Sequence, residues 1–405
     1  FDKLDYHQWA PEQDVVSTDH YVVSSLEHPR AELAFSGDLT RGLAGGRPWM
    51  LMEHSTSAVN WQPVNPAKAP GQTLRDSLAH VARGADTVGY FQWRQSRAGS
   101  EKFHSALVPH AGPDSARFRE VCHLGEVLQR LGELRGSTVE AEVAILWDQQ
   151  SRWAASGPAL PSTELDPTLV PHRVHRLLRD RGITADVVHP SADLSGYRMV
   201  VVPTLYLVTD EHAAAVAAAA RAGAQVLVTF FSGISDEHDH VRLGGYPGAF
   251  RDLLGVRVEE FFPLMPGETV ELESGRGEVW SEDVTATTAE VRSRYAAGPL
   301  AGRPALTRAV AGSGAAWYLS TLPDDPALAA LLDEVAEAAG VRPVADVPAG
   351  VEVVRRRGEH GSWLFLLNDT DAEQRVVAPG HDLVADTRVE TVVLPAGGVA
   401  VVREG

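Results

Sequence analysis

Trp49-Met50-Leu51-Met52-Glu53-His54-Ser55-Thr56-Ser57-Ala58-Val59-Asn60-Trp61-Gln62 decides how the chain is read. An apolar run hands a carboxylate to its end, and a Ser/Thr-rich turn then leads to Asn60 and Trp61. The pattern is that of a buried strand, about Pro48–Glu53, that opens into a polar loop. Outward from it the alternation repeats. Val15–Val23 and Thr87–Trp93 read as two more short strands, and Pro29–Leu43 and Gln72–Gly84 as helices between them. Asp114 is placed to cap a long helix whose apolar stripe is Val121, Leu124, Leu128 and Leu131, with Gly136 as its stop. Strand–helix repetition of this kind predicts parallel βα units, an α/β fold in which polar site residues gather at the strands' C-terminal ends. Here those are Asp19-His20-Tyr21, Glu53 and the stretch Arg94 to His104.

Three βα units cannot close an eight-stranded barrel. They form either an open sheet or the last part of a barrel. From about Ser137 the pattern starts afresh, with strands at Val143–Trp147, Ala185–Val188, Met199–Pro203, Gln225–Phe231 and Ala316–Ser320. Helices are expected at Pro171–Arg181, at Asp210–Gly223 with Asp210 as N-cap, and at Pro326–Ala339. This reads as a doubly wound α/β domain. Residues 346–405 differ: Val351–Val354, Ser362–Leu367, Thr387–Val393 and Val399–Val402 are short alternating strands that predict a small antiparallel β domain. The expected division is therefore 1–136, 137–345 and 346–405.

Composition narrows the partners. The formal net charge of −18 disfavours nucleic acid and anionic membrane surfaces. No apolar run reaches the roughly 18 residues of a membrane span. The single cysteine, Cys122, rules out an internal disulfide framework and a multi-cysteine zinc site, which points to a reducing, cytoplasmic setting. A neutral substrate suits the acidic surface.

A strand-end glutamate beside an aromatic platform suits sugar chemistry, although such residues also serve in surface salt bridges and core packing. Glu101-x-x-His104, in Tyr90-Phe91-Gln92-Trp93-Arg94-Gln95-Ser96-Arg97-Ala98-Gly99-Ser100-Glu101-Lys102-Phe103-His104, pairs a carboxylate that accepts hydroxyl hydrogens with an imidazole. It also has the spacing of half a metal site, but no second pair completes one, and no metal is expected. Arg94 and Arg97 offer the alternative of a loop salt bridge. The Asp236-Glu237-His238-Asp239-His240 cluster reads as a solvated loop.

The segments Trp49–Gln62 and Tyr90–His104 resemble glycoside hydrolase family 42, the β-galactosidases. The resemblance implies that Glu53 is the nucleophile of a retaining mechanism at the end of the seventh barrel strand, and that Trp61 is a wall of the galactose site. It implies that Glu101 and His104 bind galactose hydroxyls from the eighth strand's loop, where Phe91 ends the strand, and that Tyr21 hydrogen-bonds the nucleophile. Asn60 is left between a sugar contact and a turn cap; His20 and His110 are read as structural. The middle domain resembles the amidotransferase-like domain through which the family forms homotrimers. Amidotransferase catalysis is excluded there, because its cysteine nucleophile is missing. No cofactor is implied.

The family's acid/base glutamate follows an asparagine, and no Asn-Glu pair occurs in these 405 residues. The resemblance thus implies that this chain is the C-terminal portion of a longer polypeptide, with the second carboxylate before Phe1. The expected activity is hydrolysis of terminal β-D-galactosides or galacto-oligosaccharides. Alternatives are an α-L-arabinopyranosidase of the same family, and a non-catalytic carbohydrate-binding or assembly protein with a degenerate barrel.

Overall fold

A computed structural model describes residues 3–405. Its contacts divide the chain into two compact units. One holds the described residues up to Trp9 with 141–178 and 185–342; the other holds 10–140, 179–184 and 343–405.

In the second unit, Ser17–Asp19, Trp49–Glu53 and Ala85–Val88 form a three-stranded parallel sheet in that order. Thr18 pairs with Leu51 and Asp19 with Glu53, so the first two strands end side by side. The crossovers are the helices Pro29–Leu43 and Gln72–Ala82. Gly89 continues the third strand's approach by donating its N–H to Leu51 O at 2.7 Å. A Cβ at Gly89 would stand 2.3 Å from Met52 O, so only glycine fits there. A third helix, Ala116–Arg130, follows.

Three expectations need correcting. The first and third strands are shorter than Val15–Val23 and Thr87–Trp93, so Phe91 and Trp93 lie in the loop after the third strand. Beyond Val88 the backbone makes separate bonds, Gly89 N to Leu51 O and Phe91 N to His54 O, instead of a continuous ladder. The cap of the third helix is Ser115, whose Oγ accepts the Phe118 N–H at 3.2 Å; Asp114 is exposed. The buried stripe keeps Leu124 and Leu131 but continues through Val127 and Leu134, while Val121 and Leu128 are only half-buried.

Leu78, Ala82, Val127, Leu131 and Leu134 pack on one face of a six-stranded sheet through Val354, Trp363, Phe365, Leu367 and Val401. That sheet runs Thr387–Leu394, Gln374–Asp382, Val399–Glu404, Gly361–Asn368, Val351–Gly358 and Thr138–Val139. Its neighbours are antiparallel throughout. Alternate residues Val353, Leu364, Leu366 and Val402 build a second core on the other face, as the strand period requires. Residues 346–405 and 10–140 therefore share one unit. Gln374–Asp382 was missed in the sequence because its burial alternates with exposed Arg375, Val377 and Pro379.

The unit also buries a charge network. Arg83 donates to Glu352 at 2.6 Å and Arg179 at 2.5 Å; Arg75 and Arg179 reach Asp369, and Arg41 and Arg83 share Asp38. Burial opposes ionisation of Glu352, but Arg179 and Arg83 hold its carboxyl well below the usual range.

The first unit is built on a seven-stranded sheet. Ala185–Val188, Val143–Leu146, Met199–Val202, Gln225–Thr229 and Gly314–Leu319 lie parallel in that order, and Pro304–Ala311 and Glu290–Arg294 extend the edge antiparallel. The order of the parallel strands is that of a doubly wound sheet. Thr209, not Asp210, caps the helix Asp210–Ala222, its side chain accepting the His212 N–H at 3.0 Å. Between 256 and 294 the chain adds strands that the sequence did not reveal, such as Val256–Pro263 paired with Trp280–Ala286. Exposed Arg257, Glu259 and Glu260 hide the alternation of Val256–Pro263. Among the described residues no helix is long and apolar enough to cross a membrane.

Candidate active site

Because the strands Ser17–Asp19 and Trp49–Glu53 end in register, the residues just beyond them meet. Tyr21 donates its hydroxyl hydrogen to Glu53 Oε2 at 2.7 Å. Burial, and then the Glu53 carboxylate, raise the Tyr21 pKa far above the phenol's usual value, so the hydroxyl remains a donor across the working pH range. Asp19 lies beside Glu53 in the register, and burial followed by the Glu53 charge raises its pKa. Glu53 and Tyr21 are half-buried, which leaves the carboxylate reachable from solvent.

Aromatic rings surround the pair. Trp61 is 54% exposed and meets Tyr21 edge-on with ring centres 5.9 Å apart. His104 approaches Tyr21 at 5.6 Å and Phe91 at 4.9 Å, also edge-on. An exposed indole beside a carboxylate offers a flat apolar face of the kind sugar rings stack on.

The loop from Gly89 to His110 supplies the rest. Glu101 lies in a short 3-10 turn, Ser100–Phe103, whose backbone bond from His104 N to Glu101 O (3.1 Å) brings both residues to one end of the loop. Glu101 is exposed, and its charge reaches Tyr21. His104 is buried and its Nδ1 lies 3.0 Å from Ser105 O. The structure thus gathers Tyr21, Glu53, Trp61, Phe91 and His104 through ring and hydrogen-bond contacts, with Glu101 at the rim.

Asn60 donates to Ser100 O at 2.6 Å and so ties the two site loops together. His110 caps the same loop: its N–H reaches Gln95 Oε1 at 2.8 Å and its Nε2 lies 2.7 Å from Ser96 O. Asp236 accepts the N–H groups of His238 and His240, both at 2.9 Å, which closes that cluster as an exposed turn.

Behind Glu53 lies a polar layer that the sequence did not reveal. His20, His54 and His80 are buried, with one potential ligand nitrogen on each lying within 4.8 Å of the others. Lys68, itself buried, donates to His54 Nε2 at 2.8 Å and to Ser55 O at 2.8 Å. The lone pair that would bind a metal at His54 thus already faces the chain's own ammonium group. Lys68 sits in a Pro- and Ala-rich loop with no periodic pattern, and nothing in that sequence announces a buried cation.

Comparison with known proteins places the chain among glycosidases. The profile described as "Beta-galactosidase" matches residues 1–131, "Beta-galactosidase trimerisation domain" matches 141–342, and "Beta-galactosidase C-terminal domain" matches 350–404. A β-galactosidase from Arthrobacter sp is 54% identical over 99% of this chain and 58% of its own length. The β-galactosidase LacZ of Heyndrickxia coagulans is 40% identical over 99% of this chain and 61% of its own. A crystal structure of β-galactosidase from Bacillus circulans sp. alkalophilus superposes with a TM-score of 0.96 at 35% identity, covering 100% of this chain and 62% of that one. The chain thus spans about three fifths of the length of these relatives.

Proposed function

The chain belongs to the glycoside hydrolase family 42 β-galactosidases, and on that premise we propose that it carries the nucleophile half of a retaining β-galactosidase. The observation that carries the reading is the Tyr21 hydroxyl 2.7 Å from Glu53 Oε2 at the mouth of an aromatic-lined strand end.

Glu53 attacks the anomeric carbon as the bond from that carbon to the aglycone oxygen breaks; the aglycone oxygen takes a proton from a second carboxyl group. A galactosyl ester on Glu53 results. Water then attacks the same carbon, gives its proton to the second carboxylate and releases galactose and free Glu53. Tyr21 orients the carboxylate, and its hydrogen bond passes to the ester as charge leaves the nucleophile. Trp61 stacks on the apolar face of galactose, with Phe91 and His104 completing the wall. Glu101 and His104 take the hydroxyls that distinguish galactose, the axial 4-hydroxyl among them.

The acid/base carboxyl group is supplied from outside these 405 residues. In this reading residues 1–136 are the last part of a (β/α)8 barrel. Residues 137–345 are an amidotransferase-like domain through which a homotrimer forms, and 346–405 are a C-terminal β domain. The exposed Cys122 suits the reducing cytoplasm.

Replacing Glu53 by Gln in the complete protein tests the reading. Turnover of a nitrophenyl β-galactoside should fall by roughly 10⁴-fold or more while circular dichroism is unchanged. Near wild-type turnover would remove Glu53 from the nucleophile's role. Parallel assays on the α-L-arabinopyranoside, which lacks only the hydroxymethyl arm, measure the sugar preference.

A further inference from the structure

We propose that Lys68 is a positioning residue for the Glu53–Tyr21 pair and that it acts by fixing the tautomer of His54; the proposal rests on the reading of Glu53 as nucleophile. Burying a lysine costs several kcal/mol unless every ammonium hydrogen finds an acceptor. Three acceptors are present: His54 Nε2 at 2.8 Å, Ser55 O at 2.8 Å and Asp76 Oδ2 at 3.4 Å. Burial lowers the Lys68 pKa and Asp76 works against that fall. Asp76 is itself held by Arg75 at 3.2 Å and Gln72 at 3.3 Å, while Arg117 anchors the loop by donating to Lys68 O at 2.7 Å.

An ammonium group only donates, so His54 Nε2 must accept. The ring hydrogen is then on Nδ1, which donates to His20 O at 2.8 Å. His20 N in turn donates to Glu53 O at 3.0 Å. These two bonds tie the paired strand ends together, and the side chains one residue away are Tyr21 and Glu53.

The surroundings keep His54 neutral. Burial and then Lys68 push its pKa well below the usual imidazole value. His80 packs edge-on against His54 at 5.5 Å and against His20 at 4.9 Å; burial and then His20 keep it neutral as well. His20 Nε2 faces Glu32 at 2.9 Å, so it does not compete for Lys68. Without Lys68 the His20 carbonyl alone favours the Nδ1–H form, and the competing Nε2–H form sets its Nδ1 lone pair against that carbonyl. Repulsion there moves the strand end that aims Tyr21 at Glu53.

The test uses Lys68→Met, His54→Asn and the double variant in the complete protein, with 2,4-dinitrophenyl β-galactoside, whose leaving group needs no acid. Lys68→Met should slow galactosylation by roughly 10- to 100-fold, the loss expected of a misplaced nucleophile. Galactose inhibition and circular dichroism should stay at wild-type values. His54→Asn keeps an N–H donor near the Nδ1 position without a tautomer to choose, so Lys68→Met in that background should change the rate by less than about 3-fold. Wild-type galactosylation by Lys68→Met, or an equal loss in both backgrounds, overturns the proposal. Should Lys68→Met fail to fold, histidine ¹⁵N shifts of the wild type decide it. An Nδ1–H tautomer of His54 supports the proposal; an Nε2–H or doubly protonated ring overturns it. If Glu53→Gln keeps its turnover, the nucleophile reading fails independently of any Lys68 result.

Discussion

Two carboxylates in this chain meet opposite environments. Glu53 opens toward solvent under one tyrosine hydroxyl. Glu282 is fully buried in the other unit, accepting from Trp280 Nε1 at 2.9 Å and from Tyr318 Oη at 2.5 Å. Burial pushes its carboxyl up to about 7, with the hydrogen bonds from Tyr318 and Trp280 opposing the shift only in part. A raised folded-state pKa means the folded protein holds a proton that the unfolded chain releases near 4.5. The stability it supports is complete below pH ~4.5, falls as pH rises through 7, and is then level, a total loss of about 3 kcal/mol. Urea midpoints from pH 5 to 8 should therefore slope downward more steeply in the wild type than in Glu282→Gln; equal slopes would contradict the assignment. The contact between Glu53 and Tyr21 was legible only through the family resemblance carried by Trp49–Gln62, since Tyr21 itself lies just past the neighbouring strand in a stretch with no distinctive motif. Lys68, His54 and His80 were not, since a buried polar layer is defined by the partners that satisfy it, and those come from distant parts of the chain.

At the scale of elements, helices were legible where periodicity runs long, as in Pro29–Leu43, whose observed bounds match the expected ones. Ends were not. The choice between Asp114 and Ser115 turns on one residue of phase, which decides whose oxygen meets the Phe118 N–H. Ser115→Ala should cost about 1 kcal/mol by chemical denaturation. Asp114→Ala, at a fully exposed side chain, should change stability by less than about 0.5 kcal/mol. The reverse order would restore Asp114 as the cap. The strands from 256 to 294 stayed hidden for a related reason: Arg257, Glu259 and Glu260 are exposed along Val256–Pro263 and give it the composition of a loop.

At the scale of the molecule, the α/β class was legible from strand–helix alternation. The joining of residues 346–405 with 10–140 in one unit was not, because the ion pairs that accompany it are distant in sequence. Arg83 and Arg179 both depend on Glu352, and removing one partner of a buried pair exposes the others to an uncompensated charge. Glu352→Ala should destabilise that unit by roughly 3–5 kcal/mol in a denaturation midpoint. A loss under about 1 kcal/mol would mean that solvent already screens the network. The central claim is that Glu53 carries the sugar. Incubating the complete protein with 2,4-dinitrophenyl 2-deoxy-2-fluoro-β-galactoside and mapping the adduct by peptide mass spectrometry tests it most directly. A 2-fluorogalactosyl ester on Glu53 is the expected product; an adduct on any other carboxylate, or none in a preparation that turns over galactosides, rules Glu53 out as the nucleophile.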